Sequence, residues 1–251
     1  MSKFFVKANQ IYNNKIEILD EEVNHKKNVL RLEIGENIII CNQEDSTNYD
    51  CKITEITSKK VECEIIKQLE KQSEGNVELV IFQGLPKADK MELIIQKGTE
   101  LGVSEFVPVS LKRCIVKLDS KDQIKKVDRW NKIAEVAAKQ SGRDIIPKVR
   151  SVESIKQVEE QIKDFDLFLV AYEMEENNYI KNELEKIKGS KNNYKIAVFI
   201  GPEGGLEKQE VDILNTSGAK VISLGKRILR TETVALQVSS IIMYELENGG
   251  M

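Results

Sequence analysis

Apolar and polar positions follow two different periods along the chain, and the change falls near residue 72. Before it, Lys15-Ile16-Glu17-Ile18-Leu19 alternates, residues 36–41 form a β-branched run, and residues 49–57 and 61–66 alternate again. Short runs of this kind, separated by Asn, Asp, Gly and Ser clusters, predict the strands of a small β-barrel. Residues 21–32 have helical spacing, and residues 71–76 are a polar, Gly-containing joint. After the joint, buried-type strand runs at 77–83, 106–109, 166–171, 195–200 and 220–224 alternate with helical patterns at 87–101, 122–140, 179–187, 211–214 and 233–246. In the first of these helices Met91, Ile94, Ile95 and Leu101 form an apolar stripe with Gly98 in line, and Gly102 takes the C′ position. Along 122–140 the inward residues are Ile124, Val127, Ile133, Ala134 and Ala137. The last helix is apolar on more than one side, which predicts burial on several faces or cover by a second subunit.

Repeated βα units imply an α/β fold with a mostly parallel sheet covered on both faces. Its ligands bind beyond the carboxyl ends of the strands. Two Gly-containing turns fall at such ends: Gly201-Pro202-Glu203-Gly204-Gly205-Leu206, and residues 224–233, Leu-Gly-Lys-Arg-Ile-Leu-Arg-Thr-Glu-Thr. The first lacks the Gly-Lys-Ser/Thr of a phosphate loop and is not a GxGxxG fingerprint. Read alone, it is as readily a structural turn, since Gly tolerates conformations other residues avoid. The second is more informative. Thr231 or Thr233 suffices as an N-cap. Neither Arg230 nor Glu232 is needed for capping.

Composition narrows the setting. The chain has 251 residues, 41% of them hydrophobic, with no apolar run near the roughly 20 residues of a membrane span and no apolar N-terminal signal region. These features predict a cytoplasmic protein. Cys41, Cys51, Cys63 and Cys114 show no CxxC pair and no metal-ligand spacing. They read as reduced thiols half-buried in strands, with no metal site. Net charge is −3. Lys+Arg against Asp+Glu is 11 to 13 over residues 1–72 and, by difference from 38 and 41, 27 to 28 over the remainder. Any nucleic-acid contact therefore rests on local patches.

The pairing of Gly201-Pro202-Glu203-Gly204-Gly205 with Leu224-Gly225-x-Arg227-Ile228-Leu229-Arg230-Thr231-Glu232-Thr233 resembles the RsmE-type methyltransferases of the SPOUT class. Lys87-Ala88-Asp89-Lys90-Met91-Glu92, Gln96 to Gly102, Arg113, Trp130 and Ser141-Gly142-Arg143 match further positions, as do His25, Val29-Leu30-Arg31 and Gly35 near the start. The resemblance covers nearly the whole chain. It implies a PUA-like β-barrel RNA-binding domain at 1–72 and a SPOUT domain with a deep trefoil knot at 73–251. It implies a homodimer, S-adenosylmethionine as cofactor, and methylation of N3 of a uridine in small-subunit (16S) rRNA, free or in the assembled small ribosomal subunit. The alternatives are a SPOUT methyltransferase acting on another RNA, and an RNA-binding assembly factor without catalysis.

The family pattern puts Gly201, Gly204, Leu224, Gly225, Ile228 and Leu229 around the cofactor, mainly by backbone and apolar contact. Pro202, Glu203, Gly205 and Thr233 of the same turns complete the set, and Glu173, just past a strand end, borders it. Methyl transfer from a sulfonium is an in-line displacement that needs positioning and no metal. The uridine N3 proton must leave at or before attack. Arg230 is the first catalytic candidate, holding the uridine carbonyls or a phosphate. Glu232 either orients Arg230 or accepts a proton. A basic stripe of Lys121, Lys125, Arg129, Lys132, Lys139 and Arg143, with Arg113 before it, is a candidate phosphate track or else a solvated helix face. His25, Lys26, Lys27 and Arg31 form a second candidate RNA patch. Here the chain departs from the family pattern, with Asn24 where a second His is frequent, and Cys41 to Ser46 where a Gly-containing turn is frequent.

Overall fold

The computed structural model describes residues 3–19, 32–70 and 73–247. The helix expected at 21–32, with His25, Lys26, Lys27 and Arg31, lies outside the described residues apart from Leu32. Contacts divide the chain into two compact units, Met1–Glu74 with Ala138–Ile146, and Gly75–Ala137 with Pro147–Met251.

The first unit is a six-stranded sheet. Its strands are β1 (Lys3–Val6), β2 (Ile11–Tyr12), β3 (Lys15–Leu19), β4 (Asn37–Asn42), β5 (Asn48–Ile56) and β6 (Lys60–Leu69), in the order β1-β4-β5-β6-β3-β2. β1 runs parallel to β4 and the other pairs are antiparallel. The period-2 pattern sends Ile16, Ile18, Ile38, Ile40, Cys51, Ile53, Val61 and Cys63 into one core with Phe4 and Val6. β1 has no alternation to announce it; three successive residues, Phe4 to Val6, are buried.

Ala138–Ile146 packs into this unit through Asp144. The Asp144 carboxylate is fully buried and pairs with Lys3, accepts the Asn48 side-chain N–H at 2.6 Å, and accepts the Ser73 backbone N–H at 3.0 Å. Beside it the Arg143 guanidinium pairs with Glu74 at 2.6 Å, and Glu74 also accepts the Asp144 backbone N–H at 2.9 Å.

The second unit holds a parallel sheet. Its strands are β7 (Val77–Gly84), β8 (Glu105–Ser110), β9 (Lys148–Val149), β10 (Glu153–Ser154), β11 (Leu167–Ala171), β12 (Tyr194–Ile200) and β13 (Lys220–Ile222). The order is β10-β8-β7-β12-β11-β13, with β9 also paired to β8. The helices are α1 (Lys90–Glu100), α2 (Ser120–Ser141), α3 (Ile155–Gln161), α4 (Ile180–Ile187), α5 (Lys208–Thr216) and α6 (Thr231–Leu246). β7 and β12 pair along seven residues at the centre, and their middle stretches, Leu79 to Phe82 and Ile196 to Ile200, are continuous apolar runs because both faces are covered. Gly98 lies in line on α1 because a Cβ there would sit 2.8 Å from the Phe106 ring of β8.

Several expectations are corrected. α1 starts at Lys90 rather than 87, because Ala88 takes φ +52° and Lys87 to Asp89 form a turn. Ile124 is not inward but 64% exposed, since the first turns of α2 have little packed over them. α3 escaped notice: only its Val158 is buried, too little for a periodic signal. The four cysteines are fully buried rather than half-buried, and free. Burial pushes the thiols of Cys51 and Cys63 up to about 12 and that of Cys41 to about 11, so they are unreactive at neutral pH. No helix among the described residues is long and apolar enough to cross a membrane.

Removing one partner of a buried ion pair leaves the other charge uncompensated. Asp144→Ala is expected to destabilise the protein by about 3 kcal/mol, read as a lower urea midpoint; an unchanged midpoint would show that the network contributes nothing.

Candidate active site

β12, β11 and β13 are parallel neighbours, so their carboxyl ends open on one side of the sheet. The first turn leaves β12, the segment 172–179 leaves β11, and the second turn leaves β13 and runs into α6. Together with Lys90 of α1 they line a cavity of about 830 Å³.

The two turns are tied to each other through one side chain. The Thr231 hydroxyl donates to the Gly201 carbonyl at 2.7 Å and accepts from the Gln83 amide N–H at 2.9 Å. Gln83, fully buried at the end of β7, also donates to the Gly84 carbonyl at 2.9 Å and lies 3.3 Å from the Gly201 carbonyl. Thr231 therefore does not cap α6. Arg230 holds the N-cap position, with extended φ −69° and ψ 149° and no side-chain capping bond. This leaves its guanidinium free to face the cavity.

Close backbone packing shapes the first turn. A Cβ on Gly84 would meet Pro202 Cδ at 2.7 Å. Gly205 takes φ +68°, and a Cβ there would meet Glu173 Oε1 at 2.4 Å. Within this turn the positive φ belongs to Gly205 and not to Gly204. The Gly204 carbonyl accepts from Arg113 Nη1 at 3.1 Å.

Lys90 supplies a second tie. Its Nζ is 3.0 Å from Glu203 Oε1 on the first turn and 3.3 Å from Glu232 Oε2 in the first turn of α6. The contact to Glu232 is an ion pair without hydrogen-bond geometry, so Oε2 is buried with no hydrogen-bond partner. Glu203 also accepts the Lys87 backbone N–H at 3.0 Å. Burial raises the Glu203 carboxyl, but Lys90 and the backbone N–H groups outweigh it and hold the group below the usual carboxylate range. The hydrogen bond to Glu203 in turn raises Lys90 against the opposing effect of burial. Lys90 and Glu203 therefore stay charged through neutral pH.

Of the residues singled out from sequence, Glu173, Gly201, Pro202, Glu203, Gly204, Gly205, Leu224, Gly225, Ile228, Leu229 and Arg230 share this cavity. Thr233 does not line it and is exposed on α6. Glu232 lies behind the lining and pairs with Lys90, not Arg230. Arg113 braces the first turn, and Arg129 pairs with Glu92 at 2.8 Å on an exposed face. Arg143 departs from its expected place in a phosphate track: it is 4% exposed and committed to Glu74, so it offers no surface to RNA. Gln83 and Lys90 were missed. The signal for Gln83 was a polar residue directly after the apolar run Leu79 to Phe82; Lys90 had none beyond its place in the Lys87-to-Glu92 run.

A family model described as an RNA methyltransferase domain matches residues 73–243, and an RNA methyltransferase PUA domain matches residues 18–66. The Bacillus subtilis (strain 168) protein named ribosomal RNA small subunit methyltransferase E is 42% identical over 92% of this chain and 90% of its own length. The chain belongs to this family. A second relative of the same name, from Mesomycoplasma hyopneumoniae, is 34% identical over 94% of the chain and 96% of its own. Among solved structures, the Neisseria gonorrhoeae member bound to S-adenosyl methionine aligns with TM-score 0.83 and 26% identity over 99% of both chains. The fold is thus α/β, with a PUA-like domain and a methyltransferase domain.

Thr231→Val leaves the Gln83 amide and the Gly201 carbonyl short of a partner. It is expected to cost about 1–3 kcal/mol in thermal unfolding, with Thr231→Ser near wild type. Equal stability of all three proteins would contradict the role given to the hydroxyl.

Proposed function

We propose that this protein is an S-adenosylmethionine-dependent methyltransferase acting on N3 of one uridine in small-subunit rRNA, in the cytoplasm. The observation that carries this reading is the single cavity to which three neighbouring strand ends contribute, combined with family membership along nearly the whole chain. The proposed division is a PUA-like RNA-binding domain at 1–72 and a SPOUT methyltransferase domain at 73–251.

The residues present fit the cofactor. Gly201, Gly204, Gly205 and Gly225 line the cavity with no side chain between backbone and ligand, beside Pro202, Leu224, Ile228 and Leu229. The Gly201 and Gly204 carbonyls and the Gly205 and Gly225 N–H groups are engaged within the protein, so a planar adenine edge is left to the other backbone groups of these turns. Glu173, exposed and with no ion pair among the described residues, faces this wall as a partner for a cationic group. When bound, the cofactor supplies an electrophilic methyl group. The chain's own part is to place and polarise the uridine. Arg230, at the N-terminus of α6 and without an ion pair among the described residues, holds the uridine carbonyls and stabilises the anion that forms when N3 loses its proton. Glu232 is held by Lys90 behind Arg230 and remains the nearest carboxylate on that helix turn. Further RNA contacts are assigned to Arg113 and Arg129 and, outside the described residues, to His25, Lys26 and Arg31.

A trefoil knot is consistent with the path of the chain. After β13 at the sheet edge, α6 returns to pack on α1 and on the central strands β7 and β12. A homodimer through this domain is supported by α6, where Tyr244 is 78% exposed beside half-buried Leu236 and Ile241.

The deciding experiment is methylation of purified small subunits from a strain lacking the enzyme, followed by nucleoside mass analysis. One added 3-methyluridine is the expected product, and an unmodified rRNA would refute the proposal. Arg230→Ala is expected to lose turnover at least 100-fold while calorimetric affinity for S-adenosylmethionine stays within a few-fold. Gly205→Val should lose cofactor binding, because it combines a β-branched side chain with positive φ and a clash on Glu173. Retained affinity would remove the first turn from the site.

A further inference from the structure

The turn from β13 to α6 carries cations that neither the fold nor the cofactor site uses. Lys226, Arg227 and Arg230 fall within five residues, are exposed, and line the cavity. None of their side chains has an ion pair or hydrogen bond among the described residues. This is unexpected in a chain with more acidic than basic residues. Three nearby carboxylates are occupied: Glu203 and Glu232 by Lys90, and Glu175 by the backbone N–H groups of Asn177 and Asn178. Gly225, just before the three cations, takes φ +108°.

The facing wall has the opposite sign. Glu173 and Glu176, on the segment after β11, are exposed, line the same cavity and have no cationic partner among the described residues. The cavity is therefore acidic on the β11 side and basic on the β13 side. A sulfonium cofactor is cationic at its reactive centre, whereas RNA carries one negative charge per nucleotide. The two ligands are sorted by this asymmetry. Between Arg227 and Arg230, Ile228 is 89% exposed, an apolar surface flanked by cations. That combination suits a single-stranded nucleic acid, with phosphates on the cations and a base or sugar face on the apolar side chain. A small anion would use the charges and leave Ile228 in water.

We propose that Lys226 and Arg227, with Ile228 between Arg227 and Arg230, form the entry subsite for the single-stranded RNA flanking the target nucleotide, gripping its phosphates on the β13 side of the cavity. This rests on the methyltransferase reading above and adds where the substrate enters. It also assigns two residues to substrate affinity rather than to chemistry.

The test is Lys226→Ala/Arg227→Ala in the full chain, with wild type beside it. Binding of a single-stranded RNA oligonucleotide is measured from low to moderate salt, S-adenosylmethionine affinity by calorimetry, and methylation of small subunits by nucleoside mass. Two lost phosphate contacts should flatten the slope of log K against log salt by about 1.4, and raise KM for RNA about tenfold or more with kcat nearly unchanged. Cofactor affinity should stay within twofold. An unchanged slope in a variant that binds cofactor normally would overturn the subsite, as would a loss of cofactor affinity equal to the loss of RNA affinity. Wild-type protein that binds no cofactor and methylates nothing would instead refute the underlying activity, and the subsite with it.

Discussion

The cavity depends on the Thr231 hydroxyl, which sits between a carbonyl of one turn and a buried amide of a third strand. Polar backbone at strand ends must find partners once the strands are buried. Here the partner of Gly201 comes from a residue thirty positions later, and Gln83 joins both from the sheet centre. Without this tie, two loops that are far apart in the chain are held to a common geometry only by the Lys90 ion pairs. With it, the mouth of the cavity is set by the most rigid part of the sheet, the β7–β12 pairing.

Lys90 acts on the same two loops by charge. One ammonium facing two carboxylates leaves the trio net negative, which is tolerable because Glu203 also receives a backbone N–H. The consequence is felt at Arg230. A carboxylate two residues away in sequence is its obvious partner, and Lys90 removes it. An unpaired guanidinium at a helix N-terminus is costly to stability and useful for binding an anion. Structural pairing elsewhere thus leaves cations available at one rim and carboxylates at the other.

Much of this was legible beforehand. Period-2 alternation marked β3, β5 and β6, a β-branched run marked β4, and mostly apolar runs marked β7, β11 and β12, because burial on one or both faces dictates residue type. The glycines marked the first turn, since Gly205 needs positive φ and Gly84 cannot carry a side chain against Pro202. What escaped were elements too short or too weakly buried to show a period, such as β1, β10 and α3.

The sequence by itself determined the fold class, the family and the two turns, because those depend on local periodicity and on glycine at particular points. Tertiary structure decided which polar side chains are free. Arg143 and Arg230 are both arginines beside a helix end, but Glu74 meets one in a buried pair and Lys90 diverts Glu232 from the other. Partners brought together over tens of residues leave no mark in composition or spacing, so only the folded chain separates a brace from a binding residue.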